Sequence, residues 1–132
     1  MGAERKIKVL MLDDEQFLLF VYKTAFEKKG YEVTAYHDVD NALKALRGGY
    51  VPNVILFDIT MPDSRSGYEF IETVYAEKLA KHSLKIALTN EGQDGELKRM
   101  GELGADAHFL KAKYIPSEIE AAVAEMLKTK RH

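Results

Sequence analysis

The stretch Val54-Ile55-Leu56-Phe57-Asp58-Ile59-Thr60-Met61-Pro62 restricts this chain more than any other. Four apolar residues run into one carboxylate, and a proline stops the segment. A short, β-rich apolar run without polar alternation reads as a strand buried on both faces. Such a strand needs helices above and below its sheet. Asp58 then stands at the carboxyl end of the strand, the edge where ligands bind in an open parallel sheet. Alone, a strand-end aspartate is more often a cap for the next turn. The rest of the chain decides between these readings.

Four further strand-type runs alternate with helical periodicity. Ile7–Leu12 ends in Asp13-Asp14-Glu15 and is followed by a helix over about 15–29. Phe17, Val21 and Ala25, with Leu18, Tyr22 and Phe26, recur there at helical spacing, and Gly30 closes the helix. Tyr31–Tyr36 alternates and reads as a half-exposed edge strand. Asp38 predicts the cap of a helix to about Leu46, ended by Gly48-Gly49. After the central strand, a turn-rich loop from Met61 to Gly67 leads into a helix carrying Phe70, Ile71, Val74, Tyr75 and Leu79. Leu84–Thr89 is the fourth strand. A helix over about 94–103 holds Gly95 and Gly101, each costing roughly 1 kcal/mol against alanine. Ala107–Lys111 is the fifth strand, and Pro116 opens a last helix with Ile119, Val123 and Met126 on its apolar stripe. Five strands alternating with five helices predict a doubly wound parallel α/β sheet in one domain.

Composition excludes several classes. The 132 residues contain no cysteine, so disulfides and thiolate metal sites are ruled out. The formal net charge is −2, without the concentrated basic face that direct nucleic-acid binding needs. No apolar run approaches the ~20 residues of a membrane span. The expected setting is cytoplasmic.

In a parallel sheet all strands present their carboxyl ends together. The first strand delivers Asp13 and Asp14, the third Asp58, the fourth Thr89 and the fifth Lys111. If the first and third strands are neighbours, three carboxylates converge, and like charges so close cannot all stay ionised unaided. Oxygen ligands without His or Cys point to Mg²⁺, with Mn²⁺ able to substitute. Each residue has a plainer role by itself: Asp13-Asp14-Glu15 as a helix N-terminus, Thr89 as a satisfied strand-end hydroxyl, Lys111 as a surface amine. Their coincidence at four strand ends is uncommon by chance.

Together these residues resemble the response-regulator receiver domain, the CheY-like module of two-component signalling. The resemblance spans about 6–127 and rests on Asp13-Asp14, on Asp58 with Met61-Pro62, on Thr89 and on Lys111. It implies a flavodoxin-like sheet of order 2-1-3-4-5 and a single receiver domain over 1–132 without an output domain. It makes Asp58 the phosphoacceptor, charged by a histidine kinase, a phosphotransfer protein or a small acyl phosphate. Asp14 becomes the direct Mg²⁺ ligand and Asp13 the holder of a metal-bound water. Asp58 and the backbone carbonyl of Thr60 complete the set. Lys111 pairs with a phosphoryl oxygen, and Thr89 moves inward to another. His108 takes the aromatic switch position, while Thr60, Asn90 and Glu91 take the positions that tune phosphoryl lifetime. The chain would not be a turnover enzyme. Its downstream partner would meet the fourth helix, fifth strand and fifth helix, where Met100, His108 and Ala121–Ala124 invite a contact or weak homodimer.

Several positions depart from the family. Ala112 replaces the proline that usually follows the lysine in a cis bond. A cis bond before alanine costs ~2.5–4 kcal/mol, so a trans bond is expected. The loop through Asp63-Ser64-Arg65-Ser66 is one residue longer than usual. His108 is expected to be a half-buried packing residue; the sharper alternative is an inward-rotating, pH-reporting switch. These departures motivate the alternative of a phosphorylation-independent interaction module. A Mg²⁺-dependent phosphatase is disfavoured because Thr60 stands where its second aspartate belongs. A flavin site is disfavoured by the acidic loop after the first strand.

Overall fold

A computed structural model describes residues 6–59, 61, 66–90 and 94–130, with backbone alone for 94–97. The elements are β1 (Lys8–Leu12), α1 (Gln16–Lys28), β2 (Glu32–Tyr36), α2 (Val39–Arg47), β3 (Val54–Asp58), α3 (Gly67–Ala76), β4 (Leu84–Thr89), α4 (Asp94–Glu102), β5 (Ala107–Leu110) and α5 (Pro116–Lys130). The strands pair in parallel in the order β2-β1-β3-β4-β5. Both the doubly wound class and the strand order agree with expectation.

Successive side chains of a strand point to opposite faces, so each buried strand feeds two cores. Leu10, Leu12, Ile55, Phe57 and Ala87 join residues of α2 and α3 and Met100 of α4. Val9, Met11, Val54, Leu56, Ile86 and Leu88 join Leu19, Tyr22 and Phe26 of α1 and Ile119, Val123 and Leu127 of α5. All five residues of β3 are buried, whereas β2 at the edge is exposed or half-buried throughout.

The helix termini follow local chemistry. Asp38 caps α2 by accepting from the Asn41 N–H at 2.8 Å, and Ser66 caps α3 by accepting from the Glu69 N–H at 3.3 Å. Gly30 takes φ +92° after α1, a left-handed conformation that glycine adopts without a Cβ penalty. One polar bond is sealed beneath α5. The buried Tyr31 hydroxyl donates to Glu120 at 3.0 Å, and burial followed by that bond pushes the phenol's pKa well above its ordinary value.

Two expected core assignments need correction. Phe17 is 73% exposed, and α1 buries Leu19, Tyr22 and Phe26 instead. Phe17, Val21 and Ala25 recur every fourth residue, and that row starts opposite the buried face, since Phe17 is about half a turn from Leu19. Tyr75 of α3 is also exposed. The helix stops at Ala76 and Leu79 lies beyond it, because Lys78 and Ala80 take left-handed φ values of 57° and 45°. On α5 the expected stripe is seen: Ile119 and Val123 are buried and Met126 packs half-buried against the same core, with Leu127 buried beside it.

Gly101 lies within α4, and a methyl group there would meet no atom within 4 Å. Gly101→Ala is therefore expected to stabilise the protein by about 0.5–1 kcal/mol, through helix propensity and reduced freedom of the unfolded chain. Urea denaturation reads this directly. A destabilised variant would mean that α4 does not use this helical turn in solution.

Candidate functional site

Strand register brings the acidic residues together. Leu12 pairs with Phe57 across β1 and β3, so the next residues, Asp13 and Asp58, leave the sheet side by side. The Ile59 N–H donates to the Leu88 carbonyl at 2.9 Å, which ties the end of β3 to β4. The Lys111 N–H donates to the Thr89 carbonyl at 2.9 Å, so Lys111 starts where β4 ends. The sequence-predicted Asp13, Asp14, Asp58, Thr89 and Lys111 thus meet at one edge. Asp13, Asp58 and Thr89 are buried, while Asp14 is half-buried.

Lys111 bridges two of the carboxylates. Its ammonium lies 2.9 Å from Asp13 Oδ2 and 3.2 Å from Asp58 Oδ2. Burial alone lowers the lysine's pKa. The hydrogen bond that Lys111 donates to Asp13 and the charges of Asp58 and Asp13 outweigh burial, so the net direction is upward and the amine stays charged. Asp13 Oδ1 also accepts from the Glu15 N–H at 2.9 Å. Asp13 thus holds the chain entering α1 with one oxygen and meets Lys111 with the other.

Asp13, Asp14 and Asp58 each offer a carboxylate oxygen, and these oxygens all lie within 4.8 Å of one another. Three carboxylates and one ammonium carry two net negative charges, the amount one divalent cation balances. An all-oxygen donor set with one half-open member suits a hard cation that keeps its waters. Behind Asp13 lies a small void lined by Met11, Leu12, Leu19, Tyr22, Leu56 and Leu88. Tyr22 was not singled out from the sequence as a neighbour of the site. Burial raises its phenol's pKa; Lys111 opposes this, and Asp13 and Asp58 add to it.

Gly67 is the other residue whose role the sequence did not disclose. It opens α3 against the end of β3, and its N–H donates to the Ile59 carbonyl at 3.0 Å. A methyl group there would overlap the Asp58 carbonyl oxygen and stand 2.6 Å from the Ile59 Cα. The only sequence signal was a poor helix former placed directly after a capping serine.

Other expectations fare differently. Thr60, Glu91 and the loop residues Asp63, Ser64 and Arg65 lie outside the described residues. Asn90 is exposed beside Thr89. No cis peptide occurs among the described residues, so the bond before Ala112 is trans as expected. His108 is exposed on β5, not half-buried, because it occupies the outward side of an edge strand. Met100 is 1% exposed and belongs to the core under α4, so it is removed from the surface where a partner was expected. Within the Ala121–Ala124 stretch, Ala121 is exposed and Val123 is fully buried.

These features define a flavodoxin-like α/β protein whose carboxyl edge holds an acidic, lysine-bridged site. Residues 9–124 match the response regulator receiver domain, and the chain belongs to that family of two-component signalling domains. It is 30% identical over 122 residues to the alkaline phosphatase synthesis transcriptional regulatory protein PhoP of Bacillus subtilis, covering 92% of this chain and 48% of the relative. It is 26% identical over 121 residues to the phosphate regulon transcriptional regulatory protein PhoB of Escherichia coli, covering 92% and 52%. The chain thus spans about half the length of these curated relatives. A CheY-like receiver domain protein from Methanospirillum hungatei superposes with a TM-score of 0.85 at 25% identity, covering 96% of this chain and 98% of the other. Among the described residues, no helix is long and apolar enough to cross a membrane.

Proposed function

We propose that this domain is a phosphorylation-controlled switch with Asp58 as phosphoacceptor. The supporting observation is the Lys111 ammonium held between Asp13 and Asp58 at the carboxyl edge, with Asp14 beside them. An Asp58 carboxylate oxygen forms a bond to phosphorus as the P–N bond of a kinase phosphohistidine breaks. With a small acyl phosphate, the P–O bond to the acyl group breaks instead. Asp13, Asp14, Asp58 and the Thr60 carbonyl are the groups suited to hold Mg²⁺, which when bound neutralises charge on the transferring phosphoryl group.

The chain's own residues do the rest. Lys111 exchanges its contact with Asp58 for a phosphoryl oxygen and holds that charge against the buried wall of the site. The Thr89 hydroxyl donates to a second oxygen. Drawing Thr89 toward the phosphoryl group shifts the end of β4, and with it the β4–α5 face that controls partner binding. Transfer can be localised by borohydride reduction of the acyl phosphate, which converts the modified aspartate to homoserine. Homoserine at position 58 is the expected outcome; homoserine at position 13 or 14, with Asp58 unchanged, would contradict the assignment.

Phe17 and Phe20 stand in the first turns of α1, shortly after Asp13-Asp14, and are 73% and 66% exposed. They are the apolar groups we assign to the contact with a protein donor, which a small donor does not need. Phe17→Ala/Phe20→Ala is expected to slow transfer from a cognate phospho-kinase about tenfold or more and to leave acetyl phosphate reactivity unchanged. Equal rates from both donors would place the kinase contact elsewhere.

A further inference from the structure

A second cavity lies at the opposite edge of the sheet, beside the amino ends of the strands. It measures about 490 Å³, within the size range of small-molecule sites. Val74, Tyr75 and Ala76 of α3 and Leu103 after α4 give it an apolar wall, and Lys78, Lys81, Lys85 and Lys130 line it with Asp106. Four cations therefore face one carboxylate. Glu77, the acidic neighbour of Lys78, is already engaged by Arg47 at 2.6 and 2.8 Å.

Lys85 separates this cavity from a patch of surface lysines. It is only 8% exposed and stands in β4, where a lysine is costly to bury. Its ammonium donates to the Ala80 carbonyl at 2.9 Å and the Ser83 carbonyl at 3.1 Å. These bonds use two of its three N–H groups. The Asp106 carboxylate accepts from the Lys85 backbone N–H at 2.8 Å. The turn that supplies the Ala80 carbonyl contains the left-handed Lys78 and Ala80. Non-glycine residues adopt that conformation at a cost, and such outliers cluster where a ligand or mechanism uses them.

We propose that this cavity binds a small amphipathic anion: a phosphate or carboxylate on a flat apolar body. The apolar body lies against Tyr75, Val74 and Leu103, and the anion meets Lys85 with Lys78 and Lys81 at the mouth. This site is separate from the carboxyl-edge site, since Lys85 and Thr89 are four residues apart on β4, roughly 13 Å along the strand.

The test is fluorescence titration with 8-anilinonaphthalene-1-sulfonate as probe, followed by displacement. Saturable single-site binding that weakens with salt is expected in the wild type. Lys78→Glu/Lys81→Glu alters exposed side chains only, so it leaves the fold intact, and it is expected to weaken the probe about tenfold or more. Lys23→Glu/Lys28→Glu on α1 is the control and should not change affinity. Phenyl phosphate displacing the probe better than phenylacetate identifies a phosphate site, and the reverse identifies a carboxylate site. No saturable binding, equal weakening in the control, or equal displacement by uncharged benzyl alcohol would overturn the proposal.

Discussion

Lys111→Ala is expected to destabilise the Mg²⁺-free protein by about 3–5 kcal/mol, the usual cost of removing one partner from a buried charge pair. Lys111 is nearly buried, and its ammonium faces Asp13 and Asp58, which are 4% and 2% exposed. Deleting it leaves two buried carboxylates beside Asp14 without their shared cation. Added Mg²⁺ should stabilise the variant more than the wild type, because no ammonium then competes with the ion for the same oxygens. A cation bound only by the folded state at a hundredfold over its Kd contributes about 2.7 kcal/mol. Urea denaturation with chelator and with saturating Mg²⁺ measures both quantities. An equal Mg²⁺ effect in the two proteins would show that Lys111 and the metal do not share Asp13 and Asp58.

Gly67→Ala should have the second largest effect, and it arises from shape rather than charge. The added methyl meets backbone, the Asp58 carbonyl and the Ile59 Cα, and backbone cannot rotate aside as a flexible side chain can. Either α3 retreats from β3 or the end of β3 moves. Overpacking of this kind costs about 1–3 kcal/mol, and here the displaced element carries Asp58. The variant is expected to lose stability and to accept phosphoryl groups more slowly even at temperatures where it remains folded. Displacements of about 1 Å at a reacting group cost roughly a hundredfold in rate. Wild-type acceptance by a folded Gly67→Ala protein would mean that the α3 contact does not position the acceptor. Gly101→Ala is the internal comparison, because the same substitution in open space should stabilise.

Much of this molecule was legible from local chemistry. The apolar runs of β3 and β4 are short, punctuated and buried on both faces, and the alternation of strand-type runs with helical periodicity gives the order of elements along the chain. The carboxylates, hydroxyl and amine of the site were legible because parallel strands send their last residues to one edge. What stayed hidden depends on helix rotation and on three-dimensional proximity. Phe17 and Leu19 differ by two positions on α1, and hydrophobicity alone does not say which faces the sheet. Met100 is one of the few apolar residues of its helix, and the sequence leaves open whether it anchors the core or meets a partner; it fills the core with residues of β4 and α3. Lys85 reads as a solvated amine until its two carbonyl partners are seen. Gly67 reads as a turn residue until the backbone of β3 is found against it.

The most direct measurement of the central claim is intact mass after incubation with acetyl phosphate, with and without Mg²⁺, on the wild type and on Asp58→Asn. A single phosphoryl adduct that requires the metal and is absent from Asp58→Asn is expected. An adduct that persists in Asp58→Asn would contradict the role assigned to this residue. No adduct from acetyl phosphate and none from a cognate phospho-kinase would contradict the switch itself.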